Sequence, residues 1–148
     1  MTPRHAESGW KNGWYRVPRE VTWRDLDGIG HVNNAVYFTY FEHGRTDYWF
    51  AMHGGGNSAA DLGFIVARAE CDFRQQLGLT ERIEICVRIG EMRNSSLDFV
   101  YEIRRSGNGE LVASGKVVSV LYSWEQNRKL QITEDFREKV ARFQSQGD

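Results

Sequence analysis

Apolar and polar residues alternate along five stretches of the chain, at residues 15–23, 65–73, 83–89, 97–103 and 111–124. The first stretch places Tyr15 and Trp23 on one side, and the second places every odd-numbered residue from Ile65 to Phe73 on one side. Successive side chains of a strand point to opposite faces, so this alternation is typical of a strand with one buried face. The pattern predicts five half-buried strands.

After the first strand the period lengthens to three and four residues. The recurring positions are Phe38, Phe41, Arg45, Tyr48, Trp49 and Met52. This spacing predicts one amphipathic helix from about Asn34 to His53, about 30 Å long at the standard rise, with Asn33 as its N-cap. The glycine run at 54–56 ends the helix, because consecutive glycines do not hold helical order. A second, short helix is expected over residues 133–143.

The order of these elements is one strand, the long helix, four strands and the short helix. The connections between the later strands are too short for parallel crossovers, which favours an antiparallel sheet with one face against the long helix. The fold class is therefore α+β, with a single domain over residues 13–143. The polar residues 1–12 and 144–148 show no pattern and are expected to be flexible.

Composition narrows the class of protein. The chain has 148 residues, of which 41% are hydrophobic and 26% charged, as in one soluble domain without a membrane span. A formal net charge of -1 provides no overall field for a nucleic acid backbone. The two cysteines, Cys71 and Cys86, lie in alternating segments, and the N-terminus lacks the apolar run of a signal peptide. We expect core thiols and a cytoplasmic protein that binds neither nucleic acid nor membrane.

The chemistry is concentrated in DLDGIGHVNN, residues 25–34, which joins the first strand to the helix. DLDGIG is similar to the start of a calcium-binding EF-hand loop, but Ile29 and Val36 occupy the fifth and twelfth ligand positions and a strand precedes the loop. The pair of glycines suggests a dinucleotide-binding loop, but Asn33 stands where a third glycine belongs. We therefore expect neither a metal nor a nucleotide here.

A third interpretation starts from the tight turn, which brings Asp27 close to the N-terminus of the helix. Unpaired N–H groups and the helix dipole favour a negatively charged oxygen there. A carboxylate beside such a site can hydrolyse an activated acyl group, as general base on water or as direct nucleophile. A thioester suits this small set of groups, because its leaving thiolate, with a pKa of about 8.5, needs little help from an acid. The simpler alternative is that Asp27 only braces the turn.

The run WRDLDGIGHVNNAVYFTYFEHGR, residues 23–45, resembles the opening of the hotdog-fold acyl-CoA thioesterases of the 4-hydroxybenzoyl-CoA thioesterase type. That family has a strand, a D-x-x-G-H-V-N-N-x-x-Y turn and then a central helix. The resemblance implies a hotdog fold over about 15–124, in which a five-stranded antiparallel sheet wraps one long helix. It also implies an acyl-CoA thioester hydrolase that uses no cofactor and forms homodimers or tetramers with active sites between subunits.

The family's residues are carried over position by position. The catalytic carboxylate falls on Asp27, and the N–H that polarises the thioester carbonyl falls on the backbone of Asn34. His31 matches a histidine that helps to position the loop or substrate. Gly30 and Tyr37 belong to the same motif and are assigned to substrate binding.

Two later segments bear on the bound coenzyme A and the acyl group. GEMRNSSL, residues 90–97, resembles a family stretch that often lies near coenzyme A, so Arg93, Ser95 and Ser96 are candidates for binding its phosphates or pantetheine. FRQQLGLTER, residues 73–82, departs from the family pattern, in which many relatives have a proline and a Gly-Asp turn. This departure affects the expected shape of the acyl pocket.

Several alternatives remain open at this stage. Asp25 is expected to face solvent or pair with an arginine, and His43 and His53 lack a second ligand at a metal spacing. A hotdog hydratase would need a histidine paired with a carboxylate across the interface, for which His31 is a candidate. A non-catalytic acyl-CoA-binding module is the third possibility. The sequence does not fix the acyl group, the carrier (coenzyme A or acyl carrier protein) or the number of subunits.

Overall fold

The computed structural model describes residues 7–54 and 62–148. In chain order its strands and helices are β1 (Gly9–Lys11), β2 (Trp14–Glu20), α1 (Asn34–Met52), β3 (Leu62–Phe73), β4 (Arg82–Met92), β5 (Ser96–Arg105), β6 (Leu111–Ser123), β7 (Arg128–Lys129) and α2 (Glu134–Gln144). Short 3-10 turns occur at Trp23–Asp25 and Ser145–Gly147. The glycines at 55 and 56, expected to end the first helix, lie outside the described residues.

The described strands form one antiparallel sheet in the order β1-β2-β4-β5-β6-β3, with β7 paired to β6. Helix α1 packs on one face, and the apolar core lies between helix and sheet. The α+β class, the antiparallel sheet, the long helix and the short C-terminal helix are confirmed. The sheet has seven strands within the described residues rather than five, because β1 and β7 have only three and two residues and show no alternation.

Helix α1 begins at Asn34 as the pattern predicts. The Asn33 side-chain oxygen accepts the Ala35 N–H at 2.9 Å, the bond of an N-cap. The buried stripe is displaced from the predicted one: its members are Tyr37, Tyr40, Phe41, Gly44, Asp47, Tyr48, Trp49 and Met52. Phe38 and Arg45, which the spacing placed in that stripe, are half-buried on its flank.

Two glycines allow α1 to lie close to the middle of the sheet. A Cβ atom at Gly44 would lie 2.8 Å from the Ile85 side chain of β4. The ring of Phe41 lies over Gly115 of β6, where a Cβ atom would come within 2.5 Å of it. Space remains on the other side of the helix, where a cavity of about 210 Å³ separates the flank of α1 from β3.

Strand β3 lies at an edge of the sheet and is exposed on both faces along most of its length. Its register with β6 shifts between Val66 and Arg68, and an extra residue in a strand moves the following side chains to the other face. Phe64 contacts Trp49 of α1 before the shift, and Phe73 contacts Tyr37 after it. The prediction of one face running from Ile65 to Phe73 is therefore wrong, because Ile65 points away from the helix.

The first long strand ends earlier than the alternation predicts. Strand β2 stops at Glu20, and the 3-10 turn that follows leaves the Trp23 side chain 77% exposed. The Thr22 N–H donates to the Asp25 carboxylate at 2.9 Å. Polar side chains that bond to nearby backbone groups favour a turn over a strand, which explains the early end of β2.

The described parts of both ends carry regular structure, although flexibility was expected there. The Gly13 N–H donates to the Gly147 carbonyl at 3.0 Å, which joins the two ends of the chain. Trp10 packs edge-to-face on Tyr48 and Phe143, with ring centroids 6.0 and 5.2 Å away. Burial of these aromatic rings stabilises both ends of the chain, which their polar composition did not predict. The boundaries of the domain stay a prediction.

Candidate active site

The motif loop between β2 and α1 is a small hairpin. Leu26 and Val32 form an isolated antiparallel bridge, and the Asp27 N–H donates to the His31 carbonyl at 2.8 Å. Gly30 has a φ of 88°, in the left-handed region that side chains rarely adopt. The Val32 N–H also donates to the carbonyl of Leu77, at 2.9 Å. The loop therefore holds Asp27 in a defined place beside the start of α1.

The Asp27 carboxylate is oriented by the backbone of its own turn. Its Oδ1 atom accepts the N–H groups of Ile29 at 2.9 Å and His31 at 3.4 Å. Within residues 7–54 and 62–148, no donor bonds to Oδ2. Oδ1 therefore braces the turn, as a turn aspartate often does, and Oδ2 is free to contact a ligand.

The first turn of α1 leaves one backbone donor free beside this carboxylate. The Asn33 side chain takes the Ala35 N–H at 2.9 Å, and the Asn33 carbonyl takes the Val36 N–H at 2.8 Å. The described part of the chain offers no acceptor for the Asn34 N–H. This donor points from the positive end of the helix dipole and can bind an oxygen that gains negative charge.

These groups share one pocket of about 460 Å³. Its walls are Asp27, Ile29, His31, Val32, Asn33, Asn34, Tyr37, Phe73, Gln75 and Gln76. The structure thus brings together four of the residues assigned from the sequence, and Gly30 shapes the loop that carries them. Sequence reasoning did not assign Phe73, Gln75 and Gln76, although their segment was noted as a departure from the family pattern.

Tyr37 forms the floor between the loop and β3. Its ring packs edge-to-face on Phe73 with centroids 5.1 Å apart, and its hydroxyl donates to the Gln75 carbonyl at 3.4 Å. Burial raises the pKa of Tyr37 to about 12, with a smaller contribution from Cys71. The hydroxyl is therefore neutral and acts as a hydrogen-bonding group rather than as a charge.

His31 stands in the wall of the same pocket. The imidazole is half-buried, and its Nδ1 atom is buried without a hydrogen-bond partner within the described residues. The backbone of His31, in contrast, bonds to Asp27 through both its N–H and its carbonyl. The loop-positioning contact seen in the structure is therefore made by the main chain of this residue.

Arg93, Ser95 and Ser96 do not lie near this pocket in the same chain. They form the turn between β4 and β5. Across β6 and β5, the pocket-wall residue Phe73 is level with Ile85 of β4, about 23 Å back along the strand from Met92. The Arg93 guanidinium bonds to Asp98, Ser96 and Glu91. One copy of the chain cannot use these residues and Asp27 on the same small ligand.

Asp25 is buried, so the expectation that it faces solvent or pairs with an arginine is wrong. Its Oδ2 atom accepts the Tyr40 hydroxyl at 2.8 Å and the Thr22 N–H at 2.9 Å. The side chain of Arg19 lies over the Tyr40 ring, 5.4 Å from its centroid, and not on the carboxylate. The two aspartates of DLD therefore have different surroundings, one in the core and one in the pocket.

Three or more histidine, cysteine, aspartate or glutamate side chains do not converge anywhere in ranges 7–54 and 62–148 as a metal-binding group. In the same ranges neither helix is long and apolar enough to cross a membrane.

Comparison with known proteins identifies similar chains. A family model described as the thioesterase-like superfamily matches residues 21–140. A chloroplastic acyl-acyl carrier protein thioesterase of Arabidopsis thaliana, ATL3, is 27% identical over 139 residues, covering 91% of this chain and 72% of its own. An acyl-CoA thioester hydrolase of Escherichia coli, YbgC, is 28% identical over 96 residues, covering 64% of this chain and 72% of its own.

A solved structure extends the likeness to the fold. The Staphylococcus aureus protein SAV2348, in complex with CoA, aligns with a TM-score of 0.79 over 93% of this chain and 88% of its own. Only 13% of the aligned residues are identical, so this likeness concerns the fold alone.

Proposed function

The chain belongs to the thioesterase-like superfamily and has the hotdog fold, and on this premise we propose that it hydrolyses acyl-CoA thioesters in the pocket between the motif loop and α1. The observation that carries the proposal is the placement of the Asp27 carboxylate and the free Asn34 N–H in the walls of one pocket. The Asp27 carboxylate activates a nucleophile, and the Asn34 N–H stabilises the negative charge that develops on the carbonyl oxygen.

The reaction needs few groups because the thioester is already activated. Asp27 takes a proton from a water molecule while the oxygen of that water attacks the thioester carbonyl carbon. The carbonyl electron pair moves onto the carbonyl oxygen, which the Asn34 N–H binds. The tetrahedral intermediate then reforms the carbonyl and breaks the carbon–sulfur bond. The thiolate, with a pKa of about 8.5, leaves and takes the proton that Asp27 holds, giving the free acid and coenzyme A. In direct attack, Asp27 instead displaces the thiolate and forms an anhydride, which water then hydrolyses to the free acid and the Asp27 carboxylate.

The named activities of the relatives support this substrate class. YbgC is an acyl-CoA thioester hydrolase, ATL3 acts on thioesters of acyl carrier protein, and SAV2348 was solved with CoA. Both carriers present the acyl group on a pantetheine thiol, so the chemistry at the carbonyl is the same. We favour coenzyme A as the carrier, with acyl carrier protein as the alternative to be tested beside it.

We further propose that the active unit contains at least two copies of the chain. Edge strand β3 runs from Leu62, near the Ser96 end of β5, to Phe73, in the pocket wall. Antiparallel pairing of β3 with the same strand of a second copy would place the second copy's Leu62 end beside the first copy's Phe73 end. Arg93 of that copy would then lie on the same rim as Asp27, which supports a role in holding coenzyme A across the interface.

The first test is thiol release from short, long and aromatic acyl-CoAs and from acyl carrier protein thioesters, with wild-type protein and Asp27→Asn. The amide oxygen of asparagine still accepts the Ile29 N–H, so the loop keeps its shape and only the base or nucleophile is lost. We expect activity to fall about 10²- to 10⁴-fold, the usual contribution of such a group. Asp135→Asn, at an exposed position of α2, is the matched control.

Each other outcome has a defined meaning. Full activity in a folded Asp27→Asn variant would overturn the mechanism. Addition of water to an unsaturated acyl-CoA without thiol release would indicate the hydratase, with His31 as its candidate acid or base. Saturable binding of coenzyme A without any turnover would indicate a binding module. A fully active monomer in sedimentation experiments would overturn the proposed pairing.

A further inference from the structure

One flank of α1 leads from the pocket to a second cavity. Asn34, Phe38, Glu42 and Arg45 follow each other at steps of four, four and three residues, so they lie on one face of the helix. This face is turned toward β3, and a cavity of about 210 Å³ lies between them. The helix rises about 12 Å from Asn34 to Glu42. An extended acyl chain that starts at the Asn34 N–H and follows this flank for about 12 Å would reach the cavity.

The cavity is apolar along its sides and charged at its far end. Its lining residues are Phe38, Thr39, Glu42, Arg45, Val66, Ala69 and Val117. The Arg45 side chain is only 15% exposed, yet its ion pair with Glu42 is 3.9 Å long and Glu42 is 65% exposed. The described chain offers Arg45 no closer carboxylate. A largely buried guanidinium is costly to desolvate unless a well-placed anion compensates it.

The Tyr101 hydroxyl is a second buried polar group beside Arg45. Tyr101 is 1% exposed, and its hydroxyl makes no hydrogen bond of good geometry within residues 7–54 and 62–148. Burial raises the pKa of Tyr101, and the Arg45 guanidinium opposes that rise through its charge and through a side-chain contact with the hydroxyl, so the two groups are direct neighbours. Buried polar atoms are nearly always hydrogen-bonded in native proteins. The contact between Tyr101 and Arg45 falls short of ordinary hydrogen-bond geometry and the Arg45 ion pair is 3.9 Å long, so both groups can still bind an anion.

We propose that this cavity is the distal acyl subsite and that Arg45, with Tyr101 beside it, binds a carboxylate at the far end of the acyl group. The preferred substrates are then ω-carboxyacyl thioesters, in which one carboxyl of a dicarboxylic acid is esterified to the thiol. The inference rests on the proposed function, because it concerns the acyl group of the same substrate. No bond is made or broken at the subsite.

The test compares hexanoyl-, octanoyl- and decanoyl-CoA with their ω-carboxy counterparts. In wild-type protein we expect kcat/KM to favour the ω-carboxy member of at least one pair by about tenfold or more, the effect of one charged hydrogen bond. Arg45→Met should abolish this ratio through KM, and Arg45→Lys should keep part of it. Tyr101→Phe should reduce it with the charge in place. Arg142→Met, on the exposed side of α2, is the control.

The outcomes separate this inference from the function on which it rests. Turnover with equal rates for both members of every pair overturns the subsite and leaves the thioesterase in place. No turnover of any thioester overturns both. An equal loss for both members in Arg45→Met, together with a change in oligomeric mass, assigns Arg45 to subunit contact and overturns the subsite. The wild-type ratio decides the matter even if a variant fails to fold.

Discussion

The hydroxyl of Tyr40 donates a hydrogen bond of 2.8 Å to Oδ2 of Asp25, and both residues are buried. This bond joins the second turn of α1 to the 3-10 turn before the motif loop. The carbonyl of Asp25 also accepts the Asn33 N–H at 2.9 Å, so the same residue supports the start of the helix. Through these bonds Asp25 stabilises the start of the helix and the turn before the loop, and so helps to position Asp27 two residues later.

Removal of this hydroxyl should destabilise the protein. We expect Tyr40→Phe to lower the free energy of unfolding by about 1–3 kcal/mol, because a buried carboxylate then lacks one of its donors. Tyr122→Phe is the matched control, since its hydroxyl bonds to Asn127 at an exposed site and should cost about 0.5 kcal/mol or less. Urea unfolding of both variants measures the difference. An equal decrease in the free energy of unfolding in both variants would show that the buried bond contributes no more than the exposed one.

Gly30 and Gly28 provide a matched pair within the motif loop. Gly30 has a φ of 88°, whereas Gly28 has no positive φ, and neither has a neighbour within 4 Å of an added Cβ. Gly30→Ala should therefore strain the turn by about 1–3 kcal/mol, while Gly28→Ala keeps its backbone conformation. Because the turn directs Asp27, we expect a larger loss of kcat/KM for Gly30→Ala. Steady-state kinetics check this ordering, and the reverse order would contradict it.

The close approach of α1 to the sheet can be tested at Gly115. A Cβ atom there would lie 2.5 Å from the Phe41 ring and 2.6 Å from a backbone oxygen of Glu70. Gly115→Ala should destabilise the fold by about 1–3 kcal/mol, the usual cost of overpacking. At Gly107, in an open turn, nothing lies within 4 Å of an added Cβ. Thermal unfolding should separate Gly115→Ala from Gly107→Ala, and similar melting temperatures would contradict the packing described.

The parts of the site that the sequence predicts are close together along the chain. The strand-to-helix order, the Asn33 cap and the proximity of Asp27 to Asn34 all follow from local turn and helix geometry within about ten residues. The resemblance then adds the chemical roles. Local pattern also separates the polar loop from the amphipathic helix, because their periods differ.

The remaining parts depend on contacts between distant segments. Gln75 and Gln76 enter the pocket because Val32 bonds to the Leu77 carbonyl, and periodicity does not report such a pairing. The position of Arg93 at the opposite end of the sheet follows from strand order and length. The bulge after Val66 reverses the faces of β3, which residue alternation alone did not show.

Buried tyrosine and cysteine side chains predict a loss of stability at alkaline pH. Burial, the largest cause in each case, raises the pKa of Tyr15 and Tyr37 from 10.0 to about 12, of Cys71 from 9.0 to about 11, and of Cys86 from 9.0 to about 12. In the unfolded chain these groups ionise at their ordinary values, so the unfolded state loses protons first as the pH rises. Stability from these groups is then fully present below about pH 9 and decreases through about pH 9–12.

The measurement is the free energy of unfolding in urea at several pH values from about 7 to 10.5, where these groups begin to ionise in the unfolded chain. We expect the free energy of unfolding to change little with pH below about pH 8 and to decrease progressively above about pH 9. Tyr37→Phe should make the alkaline decrease less steep, because one group with a raised pKa is removed. A free energy of unfolding that stays constant or increases over this range would contradict the assignment, since it would require the thiols and phenols to ionise equally in both states.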